Sequence, residues 1–204
     1  VTLPADQRAT FELKVDMPAN PPQGASVVLS EDTVYAENSA TYASITETAN
    51  FTGKKMYAYI NYPTLALVGS NPTPTLDSNT STLAGATIQM AVTANGSDIY
   101  IHKTSGIVAT TTAATSTLVV SGPGVDTEGD FFLVRNGETK PFNVAISMNN
   151  TGGDAGQKQA WISGFNWNVT ATTSGEFAWT NMLGLGSATT PGSIFYTLPV
   201  NMAK

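Results

Sequence analysis

The chain has 204 residues, a formal net charge of −6 and no cysteine. Its 9 basic residues form no stripe that could neutralise phosphates, which excludes a nucleic-acid interface and a Lys/Arg-driven membrane surface. The missing cysteine excludes disulfides, thiolate zinc sites and thiol nucleophiles, and no apolar run reaches the roughly 18 residues of a membrane-spanning helix.

Alternation of apolar and polar residues dominates from the first residues onward, with β-branched and aromatic residues set between Gly, Pro, Asn and Ser clusters. "TFELKVDM" places Phe11, Leu13, Val15 and Met17 on one face of a strand. "ASVVLSEDTVYAE" follows the loop "PANPPQG". "KKMYAYINY" sets Met56, Ala58 and Ile60 against Tyr57 and Tyr59, and "TLALVGS" follows Pro63. "ATIQMAVTA" aligns Ile88, Met90 and Val92. "SDIYIHK", "STLVVSG", "DFFLVRN", "KPFNVAISMN", "AWISGFNWNVTA", "GEFAWTNML" and "SIFYTLPVN" complete the predicted strands. Only "EDTVYAENSATYAS" and "NMLGLG" could hold a turn of helix. Many short strands between regularly spaced turns predict an all-β chain of the immunoglobulin-like β-sandwich type.

One pattern occurs twice. Phe11, Leu13, Val15 and Met17 recur at a constant offset as Phe142, Val144, Ile146 and Met148. The turn Ala5-Asp6-Gln7 corresponds to Asn136-Gly137-Glu138, and after a small loop difference Val28, Leu29 and Val34 fall on Trp161, Ile162 and Trp167. The second copy lies late in its own module. The repeat therefore predicts a partial module over residues 1–61, made of rear strands and a connecting segment, followed by one complete sandwich over 62–204. Half a sandwich leaves open edges and an uncovered apolar face. The complete module, a neighbouring subunit or another segment must cover it. The chain opens with Val1 and no signal peptide, and so reads as a mature or trimmed piece.

The stretch "YPTLALVGSNPTPTLDSNTSTLAGATIQMAVTANGSDIYI", the later "VRNGETKPFNVAIS" and the strand near "ISGFNWN" carry a family likeness. They resemble the Ser/Thr-rich, Ig-like extracellular surface proteins of candidate-phyla bacteria (the Patescibacteria). The likeness rests on turn-and-strand patterns and implies an exported surface-layer, filament or adhesin-type protein. It implies no catalytic residues, because the pattern has none.

The residues themselves offer little chemistry. His102, the only histidine, falls at the end of a predicted strand beside Lys103 with no nucleophile-elbow pattern near it. Asp98, Glu128, Asp130 and Glu176 are the carboxylates that a glycosidase pair would have to draw on. "GVDTEGDFF" sets Asp126, Glu128 and Asp130 at alternate positions in a Gly-containing loop, a candidate calcium site, because calcium takes six to eight oxygens. No other cofactor is expected. The competing reading of that loop, and of "NNTGGDAG" with Asp154, is solvated turn chemistry.

Trp161, Phe165, Trp167 and Val169 share one parity, as do Phe177 and Trp179. They are read first as an inward face filling the core. The alternative is a carbohydrate platform of Trp161, Trp167 and Trp179. Sequons occur at Asn50, Asn79, Asn95, Asn149 and Asn168. Asn79 and Asn95 lie in predicted turns, and Asn168 falls opposite Trp167, where it should face solvent.

Polar but sparsely charged, the composition suits an extracellular β-protein: 12% of residues are charged, about half the usual share. The expectation is a non-enzymatic subunit of a cell-surface layer or filament that binds copies of itself. Its assembly strand would be Phe11–Met17, added to an open sheet edge of a neighbour. The alternative is an adhesin or carbohydrate-binding module with glycans as partners. An enzyme ranks last.

Overall fold

In the computed structural model, residues 59–178 and 194–204 are described in full, and the strands of 1–58 and Trp179 by their backbone alone. The predicted assembly strand Phe11–Met17 and the segment "NMLGLG" lie outside the described residues. The chain divides into two compact units, Val1–Ile60 and Asn61–Lys204. All assigned elements are strands, and no helix occurs among the described residues.

In the first unit, β1 (Ala25–Val27) pairs antiparallel with β4 (Met56–Ala58). The β2 strand (Ser30–Glu37) pairs antiparallel with β3 (Ser44–Thr52). Most of the stretch considered for a helical turn is therefore strand.

The second unit begins with β5 (Tyr62–Leu67), β6 (Thr75–Leu76) and the long β7 (Leu83–Asn95). It continues with β8 (Ile99–His102), β9 (Ile107–Thr111), β10 (Thr115–Ser121), β11 (Asp126–Glu128) and β12 (Phe131–Val134). It closes with β13 (Thr139–Asn149), β14 (Gly156–Lys158), β15 (Ala160–Trp167), β16 (Phe177–Trp179) and β17 (Val200–Met202).

Sheet one runs β10-β13-β7-β5, with β6 beside the start of β7. Sheet two joins β11-β12-β8 to β9-β15-β16. The join is a bridge in which Tyr100 and Asn168 exchange backbone hydrogen bonds at 2.8 and 2.9 Å. Residues 195–197 extend β15 on its other side: Phe195 accepts from the Ile162 N–H, and Thr197 donates to the Ala160 carbonyl. β14 and β17 form a separate two-stranded ribbon, with β17 lying against β6 and β7 of sheet one.

The core follows from the period-2 pattern. On β7, Ile88, Met90, Val92 and Ala94 are fully buried. Facing the same way from β13 are Phe142, Val144, Ile146 and Met148, all buried. From sheet two come Ile99, Ile101, Ile107, Phe132, Val134, Ile162, Phe165 and Trp167. The two layers meet where Phe132 and Phe142 pack edge to face. Burying one large aliphatic side chain contributes about 1.5–3 kcal/mol, so these rows dominate the stability of the unit.

Turn residues fix the register. The chain passes from β12 to β13 through Asn136-Gly137, where Gly137 has φ 79°, a left-handed conformation open to glycine at no steric cost. Asp98 secures that turn by accepting the Asn136 N–H at 2.8 Å. A bulge between Ile162 and Gly164 inserts Ser163 into β15. It sets Trp161 opposite Thr110 and Phe165 opposite Ile107, three residues apart on β9. Trp161 and Phe165 therefore lie on opposite faces of the sheet, and the expected shared parity is corrected.

Candidate assembly surface

Asp126 and Glu128 lie exposed on β11. The Asp126 carboxylate accepts from Arg135 Nε at 3.1 Å. The Glu128 carboxylate accepts from the Tyr100 hydroxyl at 3.3 Å. Partial burial, then the negative charge of Glu128, raise the Tyr100 phenol above its ordinary pKa. Asp130 gives its backbone carbonyl to the Lys103 N–H. Among the described residues, no three acidic or histidine side chains converge as a metal would need. The alternate spacing legible in the sequence places Asp126 and Glu128 beside different partners.

His102 shapes a loop. Strands β8 and β9 read as one strand interrupted at 103–106: Asn168 meets Tyr100, while the Asn166 N–H donates to the Gly106 carbonyl. Within this excursion the backbone N–H groups of Thr104 and Ser105 point at His102 Nδ1 at 3.4 and 3.2 Å. The Ser105 hydroxyl lies 2.9 Å from the same nitrogen. An atom that accepts backbone N–H groups keeps its lone pair, so the ring proton sits on Nε2. The ring also packs edge-on against Phe131, with centroids 5.1 Å apart.

The sequons separate by burial. Asn79 is exposed in a turn that Asp77 caps through the Asn79 N–H at 2.7 Å. Asn95 is half-buried, and its amide donates to Thr64 Oγ1 at 2.9 Å and to the Tyr62 carbonyl at 3.2 Å. Asn168 corrects the expectation of a solvent-facing side chain. It is 5% exposed, and its amide donates to the carbonyls of Thr172 and Ser174. A glycan there would have to displace both bonds.

The carbohydrate platform is corrected in the same way. Trp161 and Trp167 are 1% and 0% exposed, and a ring without an open face cannot stack on a sugar. The side chain of Trp179 lies outside the described residues.

One broad surface was missed in the sequence. The outer face of sheet one presents Leu83, Gly85, Thr87, Gln89, Ala91 and Thr93 from β7. Beside them, β13 sets Asn149, Ser147, Ala145, Asn143, Pro141 and Thr139 in register. Thr115, Thr117, Val119 and Ser121 follow from β10, and Tyr62, Thr64 and Ala66 from β5. None of these residues is charged. Thr93 and Thr139 are tied across the ladder by hydroxyls 2.7 Å apart. The residues were legible as one polar parity of each strand. Their union into one face needed the strand order. No family model, curated protein or solved structure matches the chain.

Proposed function

We propose that the chain is a non-enzymatic structural subunit of an extracellular surface layer or filament, held to further copies of itself by strand addition. The observation that carries this reading is that the rows of β10, β13, β7 and β5 on the outer face of sheet one carry no charge, in a chain of net charge −6. Charged residues are depleted at the centres of protein interfaces, because burying an unpaired charge is costly. The immunoglobulin-like character of the sandwich and the role of Phe11–Met17 as donor strand belong to this reading. So do the sequence likeness to surface proteins and the polar, sparsely charged composition. Of the side chains weighed for catalysis, Asp98 accepts the Asn136 N–H, Glu128 accepts the Tyr100 hydroxyl and His102 shapes its loop.

Negative-stain microscopy of the purified chain tests the proposal. Ordered sheets or filaments are expected. Isolated particles of single-chain size at every concentration would overturn it.

A further inference from the structure

The edges of the two sheets are not alike. The β5 edge carries Pro63, and β11 is three residues long with two acidic side chains. The β6 and β16 strands have two and three residues. Short, charged or proline-bearing edges resist pairing with another chain. Of the edges with none of these devices, β9 has five residues, Ile107–Thr111, and β10 is the longest. Its seven residues, "TSTLVVS", pair without interruption with β13, from Thr115↔Asn149 to Ser121↔Asn143. Among the described residues no strand occupies its other side. Val119 is 66% exposed, the most exposed large apolar side chain among the described residues. A cleft of about 330 Å³ borders the strand, between Leu118, Val119 and Val120 and the excursion residues Lys103 and Thr104. The Lys103 ammonium is held by the Gly129 carbonyl at 2.7 Å.

The hydrogen-bond phase of sheet one says which backbone groups this edge offers. The Ala94 N–H donates to the Glu138 carbonyl, so even-numbered residues of β7 and β13 bond to each other. The Val68 N–H donates to the Gln89 carbonyl, so odd-numbered residues of β7 face β5, in agreement. Odd-numbered residues of β13 therefore bond to β10, at Ser147↔Thr117 and Ala145↔Val119. The groups left pointing outward on β10 are the N–H and C=O of Ser116, Leu118 and Val120.

We infer that the outer edge of β10 pairs antiparallel with β10 of a second copy, about a two-fold axis at Val119. In that register Leu118 meets Val120 of the second copy and each pair exchanges both backbone hydrogen bonds. Half-buried Leu118 and Val120 extend the apolar layer across the junction, and the exposed Val119 covers its own counterpart. Thr117 falls opposite Ser121, hydroxyl against hydroxyl. A two-fold centred on Leu118 would instead set Val119 against Thr117 and Val120 against Ser116. No charge meets a like charge along the strand, although the whole chain carries −6. This contact rests on the reading that copies of the chain associate. It names an isologous junction separate from the Phe11–Met17 donor, and the two can fail independently.

Cysteine cross-linking of the full chain tests it, because the chain has no cysteine of its own. Residues facing each other at a non-hydrogen-bonded antiparallel position have Cα atoms about 4.5 Å apart. That lies at the short end of the roughly 4.4–6.8 Å that a disulfide spans. Under mild oxidation Val119→Cys should form a covalent dimer at least about tenfold faster than Val108→Cys, because pairing raises the effective thiol concentration. Val108 serves as the control because it is also exposed and lies on the shorter edge strand β9 of the other sheet, so the comparison sets one open edge against another. Equal rates for the two variants would overturn the inference. Val120→Pro removes an outward donor while leaving the bonds to β13, and it should shift the sedimenting species toward monomer. An unchanged distribution would also overturn the inference. Large assemblies without Val119→Cys cross-linking would overturn this junction and leave the assembly reading standing. Rapid cross-linking with nothing larger than a dimer would leave this junction and the association of copies standing and overturn the layer or filament.

Discussion

Phe132 and Phe142 meet edge to face across the two sheets, with centroids 5.3 Å apart and ring planes at 88°. The contact joins β12 to β13, with Phe142 fully buried and Phe132 8% exposed. Phe142→Ala removes that ring and leaves a cavity that neighbouring strands can close only in part. Unfolding free energy should fall by about 3–5 kcal/mol. Urea titration checks this through a lower midpoint at unchanged slope.

Gly106 closes the excursion that His102 organises. A Cβ there would lie 2.5 Å from Ile101 Cγ2 and 2.6 Å from the His102 carbonyl oxygen. Backbone cannot yield as a side-chain tip can, so Gly106→Ala should cost about 1–3 kcal/mol through overpacking. Thermal unfolding should show it as a reduced melting temperature. A value equal to that of the parent chain would contradict the role given to the loop.

Asn150 is fully buried and ties the end of β13 to the C-terminal segment. Its amide donates to the Ala203 carbonyl at 2.7 Å and to the Asp154 carbonyl at 3.0 Å. Asn150→Ala should cost about 1–3 kcal/mol, because both carbonyls lose a buried donor. Asn150→Asp should not rescue it, since a carboxylate presents acceptors to acceptors. Chemical denaturation of the two variants side by side checks both statements.

The burial of Trp161 and Trp167 has an optical consequence. Their emission should be blue-shifted and resist quenching by acrylamide, and added oligosaccharides should leave it unchanged. A sugar-dependent quench that disappears in Trp167→Phe would contradict the burial.

These residues also mark what the sequence made legible. Ile88, Met90 and Val92 were readable as a core row because a long strand with one buried face keeps strict period 2. Phe142, Val144, Ile146 and Met148 followed for the same reason. Parity failed at Trp161 because Ser163 is inserted into β15; the one local signal was Gly164, since an isolated glycine inside a strand pattern marks a bulge. It failed at Asn168 because the chain bridges Tyr100 there and then turns, burying the amide against Thr172 and Ser174. The strand "STLVVSG" was legible, but its place at the edge was not. Strand order depends on pairings between distant residues, here Thr115 with Asn149. The candidate assembly surface was hidden for the same reason, since its uncharged rows become one face only when β10, β13, β7 and β5 lie side by side.

Association of the chain with itself is the central claim, and sedimentation velocity over a wide concentration range tests it most directly. The account predicts species larger than the monomer whose share grows with concentration. A single species of monomer mass at all concentrations, with and without calcium, would contradict it.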